Sequence, residues 1–340
     1  MDKTETLSES ATSAGTPLRG GGPAFLIDRH PPKDDFAADV LNGLSRAQKW
    51  IPPKYFYDAR GSRLFEDICA TPEYYVTRTE LKLLSDIGPD IATITGRDAT
   101  VIEFGSGSDA KIRRLLDALR APCAYVAIDI SRDALERAVE DLARDYDGLT
   151  VGGICADFST PVDLPDEALN GCGKRLGFFP GSTIGNMDRP VARRFLGRVR
   201  EMFQPGDGFL VGVDLRKDRD ILEPAYNDAA GVTAEFNLNV LHRINRELGG
   251  TIDIGTFRHD AYYNEDEGRI EMHLRAMEDT SFRVADTPFS MRRGETIHTE
   301  NSYKYAIPEF VEAAEAAGFW VVQSWQDKRS LFSLHYLTAV

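Results

Sequence analysis

The chain has 340 residues, with 40 basic and 54 acidic side chains and a formal charge of −14 with histidine neutral. A surface this acidic repels phosphate backbones, which excludes a nucleic-acid partner; 42% hydrophobic content at this length supports about two domains with sizeable cores and excludes disorder for most of the chain. No stretch approaches the ~18 consecutive apolar residues of a membrane helix and no basic-then-apolar leader opens the chain, so a soluble cytoplasmic protein with no membrane partner is expected.

Residues 1–25 are rich in Ser, Thr and Gly without an apolar period, the pattern of a solvated tail. From about 37 to 90 apolar residues recur at helical spacing, interrupted by the proline and aromatic cluster K-W-I-P-P-K-Y-F-Y at 49–57. T-V-I-E-F at 100–104 reads as a buried strand, G-S-G-S as a turn and A-K-I-R-R-L-L-D-A-L-R as an amphipathic helix. A second unit follows: the strand A-Y-V-A-I-D ending in Asp129, a helix from Ser131 or Asp133, and a third strand in L-T-V-G-G-I-C-A-D-F. R-L-G-F-F-P-G, a helix at P-V-A-R-R-F-L-G-R-V-R-E-M-F and G-D-G-F-L-V-G-V-D-L extend the alternation to at least five strands, which argues for a parallel, doubly wound α/β sheet.

Residues 217–302 break that alternation and read as an inserted substrate domain, joined by residues 26–78; residues 79–216 and 303–340 form the sheet domain, which closes with a helix and a terminal β-hairpin. Cys69, Cys123, Cys155 and Cys172 are widely spaced, with no C-x-x-C and no H-E-x-x-H, so reduced thiols, no disulfide framework and no metal ligand set are expected.

Gly105, Ser106 and Gly107 form a strand-to-helix turn whose missing side chains let backbone amides reach a ligand at a helix N-terminus. Asp129, about 24 residues after Gly105, can accept both hydroxyls of an adenosine ribose. Asp157 and Phe158 at the end of the third strand can hydrogen-bond and stack an adenine, and Lys111 suits a cofactor carboxylate. This end fits a nicotinamide dinucleotide or S-adenosylmethionine equally well; the terminal hairpin resembles the seven-stranded, Rossmann-like S-adenosylmethionine-dependent methyltransferases rather than dehydrogenases.

The segments P-K-Y-F-Y-D (53–58), P-E-Y-Y-V-T-R-T-E (72–80), G-S-T-I-G-N (181–186) and H-T-E-N-S-Y-K (298–304) together resemble the histidine N-alpha-methyltransferases of ergothioneine biosynthesis, from about residue 35 to the C-terminus. The resemblance implies three methyl transfers from S-adenosylmethionine to the α-amino nitrogen of L-histidine, giving hercynine, by a monomer. It places the substrate pocket on Tyr57, Phe65, Tyr74, Gly181, Thr183, Asn186, Tyr226, Met272, Glu300 and Ser302, with Tyr57 and Asn186 at the reacting amine. Those residue types suit the chemistry. Asn186 can accept from the amine and donate to the carboxylate, and the faces of Tyr57 and Phe65 can hold the methylated cation. Glu300 and Ser302, two apart on an extended strand, can converge on one imidazole nitrogen while Tyr74 addresses the other and Met272 walls the ring.

Asn301 and Tyr303 vary within E-x-S-x-K, a departure that leaves the mapped contacts untouched and is expected to bear on the outer wall of the pocket. Competing readings are an N-methyltransferase of another aromatic amino acid or amine such as tryptophan, a nicotinamide-dependent dehydrogenase, and a non-catalytic cofactor-binding protein. A serine hydrolase fails because Thr183 stands at the centre of G-S-T-I-G, where the nucleophile elbow requires serine.

Overall fold

The structure is a computed structural model and describes residues 22–29, 35–106, 109–158 and 162–340; most of the expected tail lies outside the described residues. In chain order the elements begin with β1 (Phe25–Asp28), α1 (Phe36–Leu44), β2 (Lys49–Trp50), α2 (Ala59–Ala70) and α3 (Tyr75–Thr95). There follow β3 (Thr100–Phe104), α4 (Asp109–Ala118), β4 (Ala124–Asp129), α5 (Arg132–Asp145), β5 (Thr150–Cys155), β6 (Arg175–Phe179), α6 (Arg189–Glu201) and β7 (Gly208–Asp214). The alternation then stops at α7 (Arg219–Leu222), α8 (Val232–Leu248), β8 (Phe257–Asn264), β9 (Arg269–Ala276), β10 (Thr280–Val284), β11 (Thr287–Met291) and β12 (Thr296–Tyr303). It closes with α9 (Ile307–Glu315), β13 (Phe319–Gln326) and β14 (Phe332–Ala339).

The large sheet has the order β1-β5-β4-β3-β6-β7-β14-β13. Its strands β3 to β7 are parallel and almost wholly buried, as expected where helices cover both faces. β14 inserts antiparallel between β7 and β13, so the terminal hairpin completes the seven expected strands. An eighth was not expected: β1 pairs parallel with β5 at the edge, and the Phe25 ring lies where a Cβ on Gly152 would sit, 2.2 Å away. A four-residue apolar strand beside a polar segment has too little period to stand out in sequence. Residues 78 and 79, at the expected domain boundary, are consecutive residues of α3.

The smaller sheet, β2-β12-β9-β8, is covered by α8. Asp58 of P-K-Y-F-Y-D caps α2 through the Gly61 amide at 2.7 Å and takes the Asn239 amide of α8 at 2.8 Å, pinning the two helices together.

The cysteine expectation is corrected in one respect. Cys123 and Cys172 are disulfide-bonded, with Cα atoms 5.6 Å apart, while Cys69 and Cys155 are free. The two half-cystines precede β4 and β6, the strands that flank β3, so sheet order joins residues that lie 49 apart in sequence.

Candidate active site

The cofactor end is built where β3 and β4 finish side by side. Gly105 leaves β3 at φ 84°, a left-handed conformation that favours glycine, and its amide bonds the Ile128 carbonyl at 2.8 Å. The Asp129 carboxylate at the end of β4 receives the Ser106 amide at 2.8 Å, the Ser106 hydroxyl at 3.1 Å and the Ser131 amide at 2.8 Å. These bonds fix an acceptor at the strand tip. Asp157 follows β5, the neighbouring strand, and Phe158 is half-buried against Phe104, Phe179 and Phe195 at centroid distances of 6.2, 6.1 and 5.9 Å. Gly107 lies outside the described residues. Two residues before the turn, buried Glu103 receives the Tyr125 hydroxyl at 2.6 Å on one oxygen and leaves Oε1 without a partner; burial pushes its pKa up to about 8. A glycine turn beside a carboxylate fixed at the strand tip suits a polar nucleoside with a charged tail.

Lys111 of α4 is buried and paired to Glu80 of α3 at 2.7 Å. Both Glu80 oxygens lie 2.9 Å from the Gly181 amide, so one carboxylate links the cofactor-side lysine to the G-S-T-I-G-N turn. Glu80 was not singled out from the sequence, although it closes the quoted P-E-Y-Y-V-T-R-T-E.

Gly181 and Ser182 are consecutive left-handed residues, φ 78° and 56°. Together they turn the chain out of β6 into a single 3₁₀ turn, Thr183–Asn186, in which Thr183 is half-buried and Asn186 exposed. This turn packs on β12 so closely that a Cβ on Gly185 would meet the Tyr303 carbonyl at 2.7 Å.

Four of the expected pocket residues form a continuous aromatic surface. Tyr57 contacts Phe65 at 5.8 Å between centroids, Phe65 contacts Tyr74 at 6.4 Å, and Tyr74 contacts Tyr226 at 6.2 Å. Phe236 of α8, not foreseen, joins Tyr57 and Phe65 at 5.7 and 6.1 Å. Tyr57 is 44% exposed, which leaves one side of this surface open. Burial and then the Tyr226 phenol push the buried Tyr74 phenol upwards. Arg78 donates to the carbonyls of Thr71, Pro72 and Tyr74, clamping the turn that presents Tyr74.

On the small sheet, Glu300 of β12 pairs directly with Met272 of β9, and Ser302 with Ile270. The register shifts between His298 and Glu300, where Thr299 is the extra residue and bonds the Met272 carbonyl and the Asn237 side chain. This bulge reverses the alternation. His298 pairs with His273, on the opposite face from Met272, while Glu300 and Ser302 keep the Met272 face. Asn301 and Tyr303 alternate to the far face, away from Met272. Glu300 is buried, and burial, only partly offset by Lys304, pushes its carboxyl up to about 7.

The far face gathers Glu271, His273 and His298, whose potential ligand atoms lie within 4.8 Å of one another. The Glu271 carboxylate is already held by Arg269, Asn264, Tyr262 and His273, and the two imidazoles stack at 4.4 Å and 17° rather than converging on a point in both ring planes. This geometry suits a packed polar cluster better than a metal centre.

The model of the family described as histidine-specific methyltransferase, SAM-dependent, matches residues 36–339. The chain is 40% identical over 301 residues to histidine N-alpha-methyltransferase of Mycolicibacterium smegmatis, covering 87% of this chain and 92% of that protein. The counterpart from Mycobacterium tuberculosis gives the same identity and coverage. Ergothioneine biosynthesis protein 1 of Neurospora crassa is 32% identical over 281 residues, covering 81% of this chain and 32% of that longer protein. The matched segment takes in both sheets apart from the edge strand β1, and every residue of the site, and the chain belongs to the SAM-dependent, histidine-specific methyltransferase family.

Proposed function

We propose that the protein methylates the α-amino nitrogen of L-histidine three times, giving hercynine, the first step of ergothioneine biosynthesis. The observation that carries the reading is the buried Glu300 carboxyl, set beside Met272 on the strand face whose Ser302 receives the Tyr226 hydroxyl of the aromatic surface. A buried carboxylate awaiting an N–H donor penalises a ligand ring that has none in reach, because its acceptors then stay unpaired.

In this reading Gly105, Ser106, Gly107, Lys111, Asp129, Asp157 and Phe158 hold S-adenosylmethionine. When bound, that cofactor supplies an electrophilic methyl group. The chain's task is to present a neutral amine, although an α-amino group is mostly protonated near neutral pH, with a reference pKa of about 8. Asn186 and Tyr57 orient the amine lone pair and take its hydrogen bonds; the Asn186 amide also meets the carboxylate, with Tyr226, Gly181 and Thr183 lining that end; Glu300, Ser302 and Tyr74 address the imidazole and Met272 walls it. After the second methylation the amine has lost its donors in the neutral form and gains a delocalised cationic surface on the third, which the faces of Tyr57, Phe65 and Phe236 attract. Orientation supplies most of the acceleration, and no strong base is required.

We further infer a cytoplasmic monomer in which residues 26–78 and 217–302 bind substrate and 79–216 with 303–340 bind cofactor. No helix among the described residues is long and apolar enough to cross a membrane. The deciding experiment is mass spectrometry of each of the twenty amino acids incubated with purified protein and S-adenosylmethionine. Histidine carrying one, two and then three methyl groups is expected; methylation of tryptophan or another amino acid in its place overturns the reading.

A further inference from the structure

Glu80 lies in the second turn of α3, and its side chain is fully buried. Its carboxylate meets two groups that belong to different parts of the site. One is the Lys111 ammonium of α4, 2.7 Å from Oε2; the other is the Gly181 amide, 2.9 Å from both oxygens. Two glycines make room for this arrangement. A Cβ on Gly212 of β7 would collide with Glu80 Oε1, and a Cβ on Gly181 would lie 3.1 Å from the Lys111 ammonium. Taking a carboxylate and an ammonium out of water is costly, and apolar side chains of similar size would join two helices as well or better. The place of the pair, between the lysine assigned to the cofactor and the turn assigned to the substrate, gives its burial a use.

The two partners of Glu80 respond to different ligands. An ammonium has three donors; Lys111 spends one on Glu80, and among the described residues no second acceptor takes the others, which remain for a cofactor carboxylate. On the other side, Gly181 and Ser182 adopt left-handed conformations, φ 78° and 56°, so the turn they start has to be held from outside. It is anchored by the Gly181 N–H on Glu80 and by Ser182 Oγ, which accepts the Asp214 amide at 2.9 Å. Thr183 and Asn186 follow within that turn. A second carboxylate sharing the Lys111 ammonium draws it away from Glu80, and Glu80 then bonds more strongly to its remaining donor, the Gly181 N–H. A turn already ordered when histidine arrives leaves less conformational entropy to be lost on binding.

We propose that Glu80 is a positioning residue that couples the two ligands: a cofactor carboxylate on Lys111 and a histidine on the Gly181–Asn186 turn reinforce one another through its carboxylate. The inference rests on the reading of this pocket as a histidine site with S-adenosylmethionine beside it. Glu80 touches no reacting atom; it acts on the substrate through Gly181 and on the cofactor through Lys111.

The test is calorimetry on the full chain without turnover. Histidine is titrated into the protein alone, with saturating S-adenosylhomocysteine, and with saturating decarboxylated S-adenosylhomocysteine, which keeps the adenosine, the thioether and the amine. Wild type should bind histidine about 5-fold or more tighter with S-adenosylhomocysteine than without it, and by reciprocity histidine should tighten S-adenosylhomocysteine by the same factor. With the decarboxylated compound the gain should fall below about 2-fold, because nothing then competes for Lys111. Glu80→Gln keeps the side-chain shape and an oxygen to accept from the Gly181 amide. In it the gain from S-adenosylhomocysteine should also fall below about 2-fold, while affinity for S-adenosylhomocysteine alone is kept or increased, since its carboxylate no longer shares the lysine. Equal gains from the two compounds, no gain in wild type, or a Glu80→Gln protein that weakens both ligands but keeps their coupling overturns the proposal and marks Glu80 as structural. If Glu80→Gln does not fold, the comparison of the two compounds on wild type decides alone. Failure of wild type to bind histidine in any of these states refutes the histidine reading and the inference with it, whereas histidine bound equally in all of them refutes the inference alone.

Discussion

Glu300→Gln should make the protein more stable at alkaline pH while making it a poorer enzyme. Burial raises the Glu300 carboxyl from 4.5 to about 7, so the native state holds this proton more tightly than the unfolded chain does. By linkage, the stability this group contributes is fully present below pH 4.5 and is lost as pH rises through about 7. The complete loss is about 3 kcal/mol, of which about 2 to 3 falls between pH 5 and pH 8. Glutamine has no such proton. A buried amide with unfilled hydrogen bonds adds its own cost of about 1 kcal/mol, but that cost is the same at both pH values. The decisive quantity is therefore the stability difference between variant and wild type, measured by urea denaturation at pH 5 and pH 8. It should move in the variant's favour by about 2 kcal/mol or more between them. Histidine turnover should fall about 10-fold, because a neutral carbonyl replaces a charged acceptor opposite the imidazole N–H. A stability difference that does not change with pH would refute the argument, since Glu300 would then be ionised in the folded protein as in the unfolded one.

Three further outcomes follow from named contacts. Asp129→Ala removes the carboxylate that the Ser106 and Ser131 amides fix at the β4 tip, and should weaken S-adenosylhomocysteine by about 10-fold or more in calorimetry, whereas unchanged affinity moves the ribose contact elsewhere. Phe65→Leu keeps bulk but removes a ring face from the Tyr57, Phe65 and Phe236 group; a cation–π contact contributes about 0.5 to 2 kcal/mol, so dimethylhistidine should accumulate in time courses, and a uniform slowing of all three transfers would contradict the assigned role. Thiol titration of the denatured, unreduced protein should find two free thiols, Cys69 and Cys155, and a count of four would show the Cys123–Cys172 bond to be absent.

The parts of this protein that could be read from sequence are those in which the relevant partner is close along the chain. β3, the Gly105 turn, α4 and the Asp129 tip occupy one βαβ unit, where apolar runs and turn residues carry the information locally. The closing hairpin is local in the same sense. What stayed hidden depends on register or on distant partners. Phe25 matters because Gly152 lies beneath it, and the disulfide because β4 and β6 flank β3. His298 and Glu300 are two apart and look like neighbours on one face until Thr299 is found to be a bulge. Lys304 reads as an ordinary strand-end lysine because the residues that use it, Asp214 and Tyr226, are about 90 and 78 positions away.

The length of the segments that carry the family resemblance has a physical explanation in α3. Within P-E-Y-Y-V-T-R-T-E, Tyr74 adds its ring to the aromatic surface, Tyr75 bonds Asp214 at the end of β7, Arg78 clamps the turn before the helix, and Glu80 holds both Lys111 and the Gly181 amide. One helix and its N-cap thus contact the aromatic surface, the tip of the large sheet, Lys111 and the 3₁₀ turn. None of these residues can be exchanged for chemistry available elsewhere: Glu80 is fully buried and is the counter-ion of Lys111, so its loss strands a buried cation at a cost of several kcal/mol, on the order of 3 to 5. A segment that must satisfy four partners at once tolerates few substitutions, and this is why nine consecutive residues, rather than a scattered pattern, point to the family.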